Sequence, residues 1–524
     1  MPVHYPPVDR ALTGPLRRLH RTMSLGSRIA PPRITLPLLA AAALFTPAWS
    51  SALLAADQAP LGDQARLADP SRLVGFQKAV GSALKQSCAR TENTSASIVS
   101  MDTGQILFEL NPTTPRTPAS IQKLVISSAA LHHLGPAFRF RTRISHSGER
   151  NNGVVNGNIY VKGMGDPKLT PEQVWIITDT IHRMGVTQVT GKLVVDQSYF
   201  DGAKAAPDWE QDRSQRAYDA GLSALSVNYN TIAVRIFPGA ARSQPLAVSL
   251  FPDPGYFKIV NKGTTGKPRR NVAASRVNNN EVDAIFISGR MAPGDREKTI
   301  YINVEDPVRL AGQVFLEYFA RAGVTINGGW EEGVEPGSAS LLYEHKSEPL
   351  ALVVRGLNKY SNNFTAEQIA KTMAAQLEGP PGTHEKALRI LMGFLEESGI
   401  PLDGIHLTDA SGLSRQNTLT ATAITRLLFK MGNRFDIGPD LVAALGIMGV
   451  DGSLKTRGNG YHILYAVRAK TGSLNGIASL AGYSAGPDGS LHAFTFIIND
   501  SRCSFEQAAG ALDHAVATIR QRAP

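Results

Sequence analysis

The 524-residue sequence predicts an α/β protein whose two chain ends build one domain around a mainly antiparallel sheet, with a β-rich region inserted between them. Strand patterns near both ends, at 95–110 and 465–498, lie beside helical patterns and predict the α/β domain. From about residue 143 to 350 the sequence changes to short β-rich runs broken by Gly, Pro and Asn. The chain is also longer than one hydrophobic core usually serves. We therefore expect a discontinuous domain at 57–142 and 351–524, and an insertion at 143–350 that forms two subdomains.

Residues 1–56 have the layout of a secretory signal peptide and its leader. Basic residues precede an apolar stretch at 34–49, and small residues follow through Ala56. A stretch of this length with two prolines is short for a membrane span, which needs about 20 residues. We expect a cleaved export signal that begins at Met23 and delivers the chain to the periplasm. No later segment is hydrophobic enough to span, so at most loose membrane association is expected.

The elements of the exported part follow in chain order. The α/β domain is expected to begin with a helix at 73–84, a hairpin at 95–100 and 105–110, and a helix at 120–134 closed by Gly135-Pro136. The insertion is expected to contain strands at 157–163, 191–195 and 231–237, and a helix from Asp306-Pro307 to Gly323. Helices then resume at Ser361, and the strands at 465–498 precede a last helix at 505–520.

The first of three short motifs is Ser120-Ile-Gln-Lys123, at the start of the 120–134 helix. Residues three apart share a helix face, so the Lys123 amine can reach the Ser120 hydroxyl. An ordinary lysine, with a pKa of about 10.4, is a poor base at neutral pH, so desolvation or a neighbouring cation is needed. We consider Lys470 a candidate for that cation. Taken alone, the Ser-x-x-Lys pair also fits an exposed helix turn.

The second motif is Ser361-Asn362-Asn363, where a helix is expected to start. Ser361 could relay a proton between Lys123 and a leaving group, and the Asn363 amide could bind a substrate backbone and Lys123. The alternative is a simple N-cap, because Ser and Asn are preferred residues at a helix start.

The third motif, Lys470-Thr471-Gly472-Ser473, lies on an expected strand that is followed by another strand. Gly472 lets a substrate backbone lie along the strand edge, and a lysine with two hydroxyls suits a carboxylate. Alternatively, a lysine on an edge strand only protects against aggregation.

The order of the three motifs produces a family resemblance, which further segments support: Pro118-Ala-Ser-Ile-Gln-Lys-Leu124, Gly163-Met-Gly-Asp-Pro167, Asp409-Ala-Ser-Gly-Leu-Ser-Arg415 and Gly449-Val-Asp-Gly-Ser-Leu454. From about residue 72 to its C-terminus the chain resembles the penicillin-recognising serine acyltransferases. More narrowly, it is similar to the class C low-molecular-weight penicillin-binding proteins, the penicillin-binding protein 4 type of D-alanyl-D-alanine carboxypeptidase and endopeptidase. The 238 positions between Lys123 and Ser361 fit this type, because related serine β-lactamases leave only a short helical segment there.

The resemblance implies a serine β-lactamase-like fold, an antiparallel sheet flanked by helices, with inserted β-rich domains. It also implies a role for each motif residue: Ser120 is the nucleophile, Lys123 the general base, Ser361 the proton shuttle, Asn363 a ligand of substrate and lysine, and Lys470 electrostatic support. Thr471 and Ser473 would hold the terminal carboxylate, and the backbone N–H groups of Ser120 and Ser473 would form the oxyanion hole. The chain departs from the family at Asn362, commonly Asp, and at Ser473, often Thr, and both departures keep the reacting groups.

Composition argues against nucleic acid, cofactor or metal as partners. The formal charge of +10 includes +5 from six arginines and one aspartate in residues 1–56. A nucleic-acid binder would cluster the remainder, and the only tight basic run there is 267–270. His132 and His133 are adjacent on a helix and point apart, which does not suit a metal. The only cysteines, Cys88 and Cys503, are expected to form a disulfide, because the first and last helices are expected to pack side by side.

We therefore expect a serine D-Ala-D-Ala carboxypeptidase, and also an endopeptidase, that acts on peptidoglycan stem peptides through an acyl-enzyme and is covalently inhibited by β-lactams. A β-lactamase is one alternative, but fast deacylation would need a water-activating segment, and no Glu-x-x-Leu-Asn is present. A non-catalytic cell-wall-binding protein is the other, and it would be expected to have lost a motif residue.

Overall fold

The structure, a computed structural model, describes residues 67–85, 90–207, 209, 214–267, 271–279, 282–500 and 502–524. The predicted signal segment at 1–56, its start at Met23, the expected disulfide partner Cys88 and most of the basic run at 267–270 lie outside the described residues.

The described residues contain ten α-helices: α1 Pro70–Leu84, α2 Lys123–Leu134, α3 Pro171–Arg183, α4 Pro307–Arg321, α5 Leu350–Tyr360, α6 Asn363–Glu378, α7 His384–Glu397, α8 Ala421–Gly432, α9 Gly438–Ala444 and α10 Phe505–Arg522. Short 3₁₀ turns supplement them, among which Ala119–Gln122 precedes α2 and Gly452–Leu454 precedes the last strands.

The strands of the described residues are β1 Thr94–Ser100, β2 Ile106–Leu110, β3 Arg141–His146, β4 Glu149–Asn151, β5 Val154–Asn156, β6 Ile159–Gly163, β7 Gln188–Val189, β8 Leu193–Asp196, β9 Thr231–Phe237, β10 Ala247–Phe251, β11 Lys258–Asn261, β12 Thr264–Thr265, β13 Ala273–Asn279, β14 Val282–Ser288, β15 Arg290–Met291, β16 Lys298–Asn303, β17 Thr325–Ile326, β18 Trp330–Glu332, β19 Ser340–Lys346, β20 Gly446–Ile447, β21 Val467–Leu474, β22 Ile477–Ala485 and β23 Leu491–Ile498.

Six of these strands form one antiparallel sheet in the order β2-β1-β23-β22-β21-β20. The N-terminal hairpin joins the C-terminal strand, with Thr94 opposite Ile498. Strands from the two ends of the chain therefore form a single sheet.

Both faces of this sheet are covered, and successive side chains point to opposite faces. On β23, Phe494 and Phe496 pack in a cluster with α1 and α10, whereas Ala493 and Ile497 pack in a second cluster with α2 and α5 to α9. Helix α2 is buried from Lys123 to Leu131, and Lys123 has no exposed surface.

Residues 141–346 form the remaining sheets. These have the orders β18-β8-β6-β3-β19, β17-β7-β5-β4, β10-β9-β16, β11-β14-β13 and β12-β15. The apolar sides of α3 and α4 pack with them in one connected cluster of buried side chains. The expected strands at 157–163, 191–195 and 231–237 are present as β6, β8 and β9, and the helix after Asp306 is α4. The domain boundaries and the division into two subdomains stay predictions.

The structure differs from the expected chain course before Ser361. Helices were expected to resume at Ser361, but α5 already begins at Leu350. Its buried residues Leu350, Val353, Val354 and Leu357 have i, i+3, i+4, i+7 spacing, which places them on one face of a helix. Ser361 is therefore the residue that ends α5, and α6 begins two residues later.

The first and last helices pack side by side as expected. Phe76 and Val80 of α1 lie in the same cluster as Leu512 and Val516 of α10. Cys503, just before α10, is disulfide-bonded. Because Cys88 lies outside the described residues, its pairing with Cys503 stays a prediction.

Candidate active site

Ser120 lies in the 3₁₀ turn that leads into α2, between the sheet and the helical cluster. The turn begins at Ala119, which has a positive φ of 51°, a conformation that non-glycine residues adopt only when their surroundings impose it. On the sheet side, the Ser479 hydroxyl donates to the Pro118 carbonyl at 2.7 Å. The turn therefore holds Ser120 at the surface of the sheet, with Lys123 buried behind it.

Lys123 makes three hydrogen bonds, one for each N–H of an ammonium group. Its Nζ donates to Ser120 Oγ at 3.0 Å, to Asn363 Oδ1 at 2.7 Å, and to the Ser411 carbonyl. The amide and backbone carbonyl oxygens can only accept. In the neutral amine, which has two N–H groups and a lone pair, the lone pair must therefore face the Ser120 hydroxyl.

The orientation of the Asn363 amide depends on the inserted region. Asn363 Nδ2 donates to the Tyr218 carbonyl at 3.2 Å, so the amide oxygen is the atom that faces Lys123. Tyr218 lies in a short 3₁₀ turn, Ala217–Asp219, of the segment between β8 and β9. A residue of the insertion thus fixes a motif residue of the α/β domain.

The second motif divides into two parts in the structure. Asn362 is the N-cap of α6, and its side chain accepts from the Thr365 N–H at 2.9 Å. Ser361 adopts a left-handed conformation, φ 57° and ψ 42°, and its hydroxyl accepts from Lys470 Nζ at 2.8 Å. The capping interpretation therefore applies to the middle residue, while Ser361 and Asn363 face Lys470 and Lys123. The expected contact from Ser361 to Lys123 is replaced by the contact to Lys470.

The third motif lies on the part of β21 that forms an edge of the six-stranded sheet. Its neighbour β20 pairs only with Arg468 and Ala469, so the segment from Lys470 to Leu474 is paired on one side, by β22. A Cβ on Gly472 would lie 2.8 Å from the Pro118 carbonyl oxygen and 3.1 Å from the Ser120 nitrogen. Only glycine permits this approach of the edge to the Ser120 turn.

The two hydroxyl residues of this edge differ in their surroundings. Thr471 Oγ1 lies 2.7 Å from Ser453 Oγ, in the Gly452–Leu454 turn. That turn is held by Asp451, which forms an ion pair with the buried Lys359 and accepts from the Ile447 N–H at 2.9 Å. Ser473 is exposed. Along this edge, the Thr471 hydroxyl is oriented by Ser453, whereas the Ser473 hydroxyl faces solvent.

Burial lowers the pKa of Lys123 to about 8, although the negative charges of Asp409 and Glu367 act in the opposite direction. Burial also lowers the pKa of Lys470 well below its ordinary value, and the nearby charge of Lys123 contributes to this. Of the two causes expected for a lowered Lys123 pKa, desolvation and a neighbouring cation, desolvation therefore provides the shift. In either protonation state Lys470 has enough N–H groups for its contacts to Ser361 and to the Thr471 carbonyl at 2.6 Å.

Sequence reasoning missed the residues that hold the Ser411 carbonyl. The Asp409 carboxylate accepts from the Gly412 and Ser414 N–H groups at 2.6 and 2.8 Å, and from Trp209 Nε1 of the insertion at 3.0 Å. Burial raises the pKa of this carboxyl. The segments 409–415 and 449–454 support the family resemblance, but the resemblance assigned no role to Asp409 or to Ser453. The acid directly before Ala-Ser-Gly-Leu-Ser was a usable signal for Asp409.

A family model described as the D-Ala-D-Ala carboxypeptidase 3 (S13) family matches residues 76–519. The chain belongs to this family. It is 31% identical to the D-alanyl-D-alanine carboxypeptidase of an Actinomadura species, over 77% of each chain. It is 24% identical to the D-alanyl-D-alanine carboxypeptidase DacB of Haemophilus influenzae, over 80% of this chain and 88% of that one. Membership of the S13 family makes it a serine-type D-Ala-D-Ala carboxypeptidase and confirms the resemblance drawn from the motifs.

The fold resembles that of a solved structure. The crystal structure of penicillin-binding protein 4 from Haemophilus influenzae superimposes with a TM-score of 0.71 at 22% identity, over 85% of this chain and 98% of that chain. This likeness confirms the expected fold class. Within the part of the chain that the structure describes, no helix is long and apolar enough to cross a membrane, and no group of three or more His, Cys, Asp or Glu side chains is arranged to hold a metal ion.

Proposed function

We propose that this S13 carboxypeptidase forms an acyl-enzyme on Ser120, with Lys123 as the general base, and removes the terminal D-alanine from peptidoglycan stem peptides. The observation that carries the proposal is the arrangement around Lys123. Two obligate acceptors occupy two of its three bonding directions, and the Ser120 hydroxyl occupies the third. A neutral Lys123 is thereby aimed at the proton that it must remove.

In the proposed acylation step, Lys123 takes the Ser120 proton while the oxygen attacks the carbonyl between the two D-alanines. The backbone N–H groups of Ser120 and Ser473 bind the oxyanion. Hydrogen bonds to a charge that develops during the reaction stabilise the transition state more than they stabilise the bound substrate. Ser361 then gives its proton to the departing amine and takes one from a charged Lys470, which donates to its oxygen. In the second step water attacks the acyl group, and the water proton passes through Ser361 back to Lys470. Lys123 returns its proton to the Ser120 oxygen as the acyl group leaves.

The edge of β21 is proposed to bind the substrate. Gly472 lets the peptide backbone lie close to Ser120, and the hydroxyls of Thr471 and Ser473 bind the carboxylate of the terminal D-alanine. Lys470 adds positive potential when it is charged, and Asn363 binds the peptide backbone on the opposite side. The same groups would bind the fused ring and carboxylate of a β-lactam, which we propose as a covalent inhibitor.

We also propose that the protein works in the periplasm, after export by the segment at 1–56, and cleaves D-alanyl cross-links as an endopeptidase. The segment at 143–350 would contribute contacts to the longer, cross-linked substrate. The contacts of its residues Tyr218 and Trp209 with Asn363 and Asp409 support this proposal.

Labelling with a fluorescent penicillin, together with an assay for D-alanine released from a stem pentapeptide, tests the proposal. The Ser120→Ala variant should lose both activities. The matched control is Ser128→Ala, which removes a buried hydroxyl without a hydrogen-bond partner from the same helix region. It should keep both activities. Labelling of Ser120→Ala at the wild-type level would contradict the assignment, and rapid turnover of penicillin by the wild type would indicate a β-lactamase instead.

A further inference from the structure

Glu367 is a fully buried acid that the proposed mechanism does not use. It lies on α6, one turn after Asn363, and has no exposed surface. Its Oε1 accepts from the backbone N–H groups of Ala410 at 3.0 Å and Ser411 at 2.8 Å. Its Oε2 lies 3.4 Å from His384 Nε2, and neither of these two atoms has a hydrogen bond.

These contacts connect Glu367 to the amine of Lys123 through a single residue. Ser411 donates its N–H to Glu367, and its carbonyl accepts from Lys123 Nζ. The Ser411 carbonyl is one of the two obligate acceptors that direct the Lys123 lone pair toward Ser120. The position of Oε1 therefore sets the position of an atom on which the orientation of the base depends.

The charge of Glu367 acts on the same amine. The ionisable groups that face Lys123 from the elements around it are Glu367 on α6, Asp409 in the 409–415 segment and Lys470 on β21. Glu367 and Asp409 both raise the pKa of Lys123 against the effect of burial. Glu367 itself is faced by His384 of α7 and by Lys371 and Asp409.

A buried carboxylate accepts two backbone N–H bonds here at a high desolvation cost. Burying a charge costs several kcal/mol more than burying a neutral amide, which could accept the same bonds. A group with a purely structural role would therefore not need the charge. The charge has an effect at Lys123, where it favours the ammonium form.

We propose that Glu367 is a positioning residue for the reaction: it holds the Ser411 carbonyl against Lys123 and brings a negative charge, one residue away from that amine, that favours its ammonium form. The proposal rests on the proposed role of Lys123. It predicts two separable effects, one of carboxylate position and one of carboxylate charge.

The test measures the rate of acylation by a chromogenic β-lactam from about pH 5 to about pH 10 in purified full-length variants. Glu367→Gln keeps an acceptor at Oε1 and removes the charge. Without that charge the pKa of Lys123 falls. In the plot of acylation rate against pH, the rise on the acid side (the acid limb) should therefore shift to lower pH by about half a pH unit or more, and the maximal rate at high pH (the plateau) should stay within about threefold of wild type. The control is Glu378→Gln, the same change on α6 at an acid paired with Arg389, and its acid limb should not move. An unmoved limb in a folded Glu367→Gln would overturn the proposal.

A second variant tests position without changing charge. Glu367→Asp shortens the side chain by one methylene, so the Ser411 carbonyl should shift and the plateau rate should fall by about tenfold or more, with little change in the acid limb. A plateau rate equal to that of wild type would overturn the positioning role, and this variant serves equally if Glu367→Gln does not fold. Ser120→Ala separates the two proposals, because acylation of that variant would refute the proposed function rather than the role of Glu367.

Discussion

Burial and charge act in opposite directions on the Lys123 amine, and their balance predicts the pH dependence of acylation. Burial lowers its pKa to about 8, and the two nearby carboxylates limit the fall. Below that pH the amine is an ammonium group and cannot accept the Ser120 proton. The acylation rate constant should therefore rise with pH through about 8 and then level off, and about one tenth of the maximal rate should remain at pH 7. A pH series with penicillin measures this.

Removing the amine should have a larger effect than changing its protonation. Lys123→Ala should reduce the acylation rate by about a hundredfold or more, which is typical for loss of a general base, and should abolish the limb near pH 8. If the variant keeps the wild-type pH profile, the base lies elsewhere. Circular dichroism should accompany the kinetics, because the change also leaves a cavity in the helical cluster around α2.

We expect Ser453 to support substrate binding rather than chemistry. Its hydroxyl lies 2.7 Å from Thr471 Oγ1, so Ser453→Ala should leave Thr471 less well oriented toward a carboxylate. The loss of one hydrogen bond predicts a fall of about threefold to tenfold in kcat/KM for the pentapeptide, mainly through KM. Ser453→Thr, which keeps the hydroxyl, is the matched control and should retain most of the activity. A wild-type KM for the alanine variant would contradict this role.

At the scale of elements, the start of α6 places a helix cap between two residues of the proposed active site. Asn362 caps the helix, and its neighbours face the amines of Lys470 and Lys123. Asn362→Ala should reduce the free energy of unfolding by about 1 kcal/mol while acylation stays close to wild type. Thermal denaturation and penicillin labelling measure the two effects. A large loss of acylation without a loss of stability would place Asn362 in the chemistry.

The sequence could predict the elements whose patterns are local. The strand at 231–237 has the expected bounds, and the helix after Asp306 begins at the expected residue. The strand-forming residues and the Asp306 cap that determine them lie within each segment. Helix α5 was missed although its apolar residues follow helical spacing. Interpreting Ser361 as a helix start concealed the left-handed residue that joins α5 to α6. That conformation results from packing between helices, which no local pattern contains.

For the candidate site, the sequence could predict the motif residues but not the groups that orient them. Hydrogen bonds join the motif residues in two groups: Ser120, Lys123 and Asn363 form one, and Ser361 and Lys470 form the other. The Ser361 to Lys123 contact expected from the motifs is not among them. The partners that orient them are distant in sequence and have no motif of their own: the Tyr218 carbonyl, Ser411 and Glu367. Backbone carbonyls leave no signature in a sequence, and a buried glutamate on a helix resembles a surface one.

At the scale of the whole molecule, α6 has one apolar face and one polar face. Ala366, Ile369 and Met373 pack in the helical cluster of the α/β domain. The polar face contacts the insertion: Gln368 donates to the Ser223 carbonyl and to Ser226 Oγ at 2.8 Å each. Further along, Lys371 pairs with Asp201 at 2.5 Å. Such directional contacts along a single helix fix the insertion relative to the motif residue at its start.

This attachment makes the insertion a candidate for selecting long substrates, and Tyr218 tests the idea. Its carbonyl binds Asn363 while its side chain is 48% exposed, so the ring is available to a peptide in the cleft. Tyr218→Ala should reduce cleavage of cross-linked muropeptides by about tenfold, because contacts remote from the scissile bond contribute to transition-state binding of long substrates. Penicillin acylation should stay within about twofold, since the backbone carbonyl that orients Asn363 is retained.

The matched control is Tyr301→Ala, which removes a tyrosine of similar exposure, 42%, from β16 of the insertion. It should leave both activities unchanged. Equal loss of muropeptide cleavage and penicillin acylation in Tyr218→Ala would indicate that the turn at 217–219 is structural, because a small β-lactam does not reach beyond the motif residues. Loss of neither activity would leave the insertion as a docking surface or spacer. The difference between the two substrates, measured on the same preparation, therefore decides what the inserted region does.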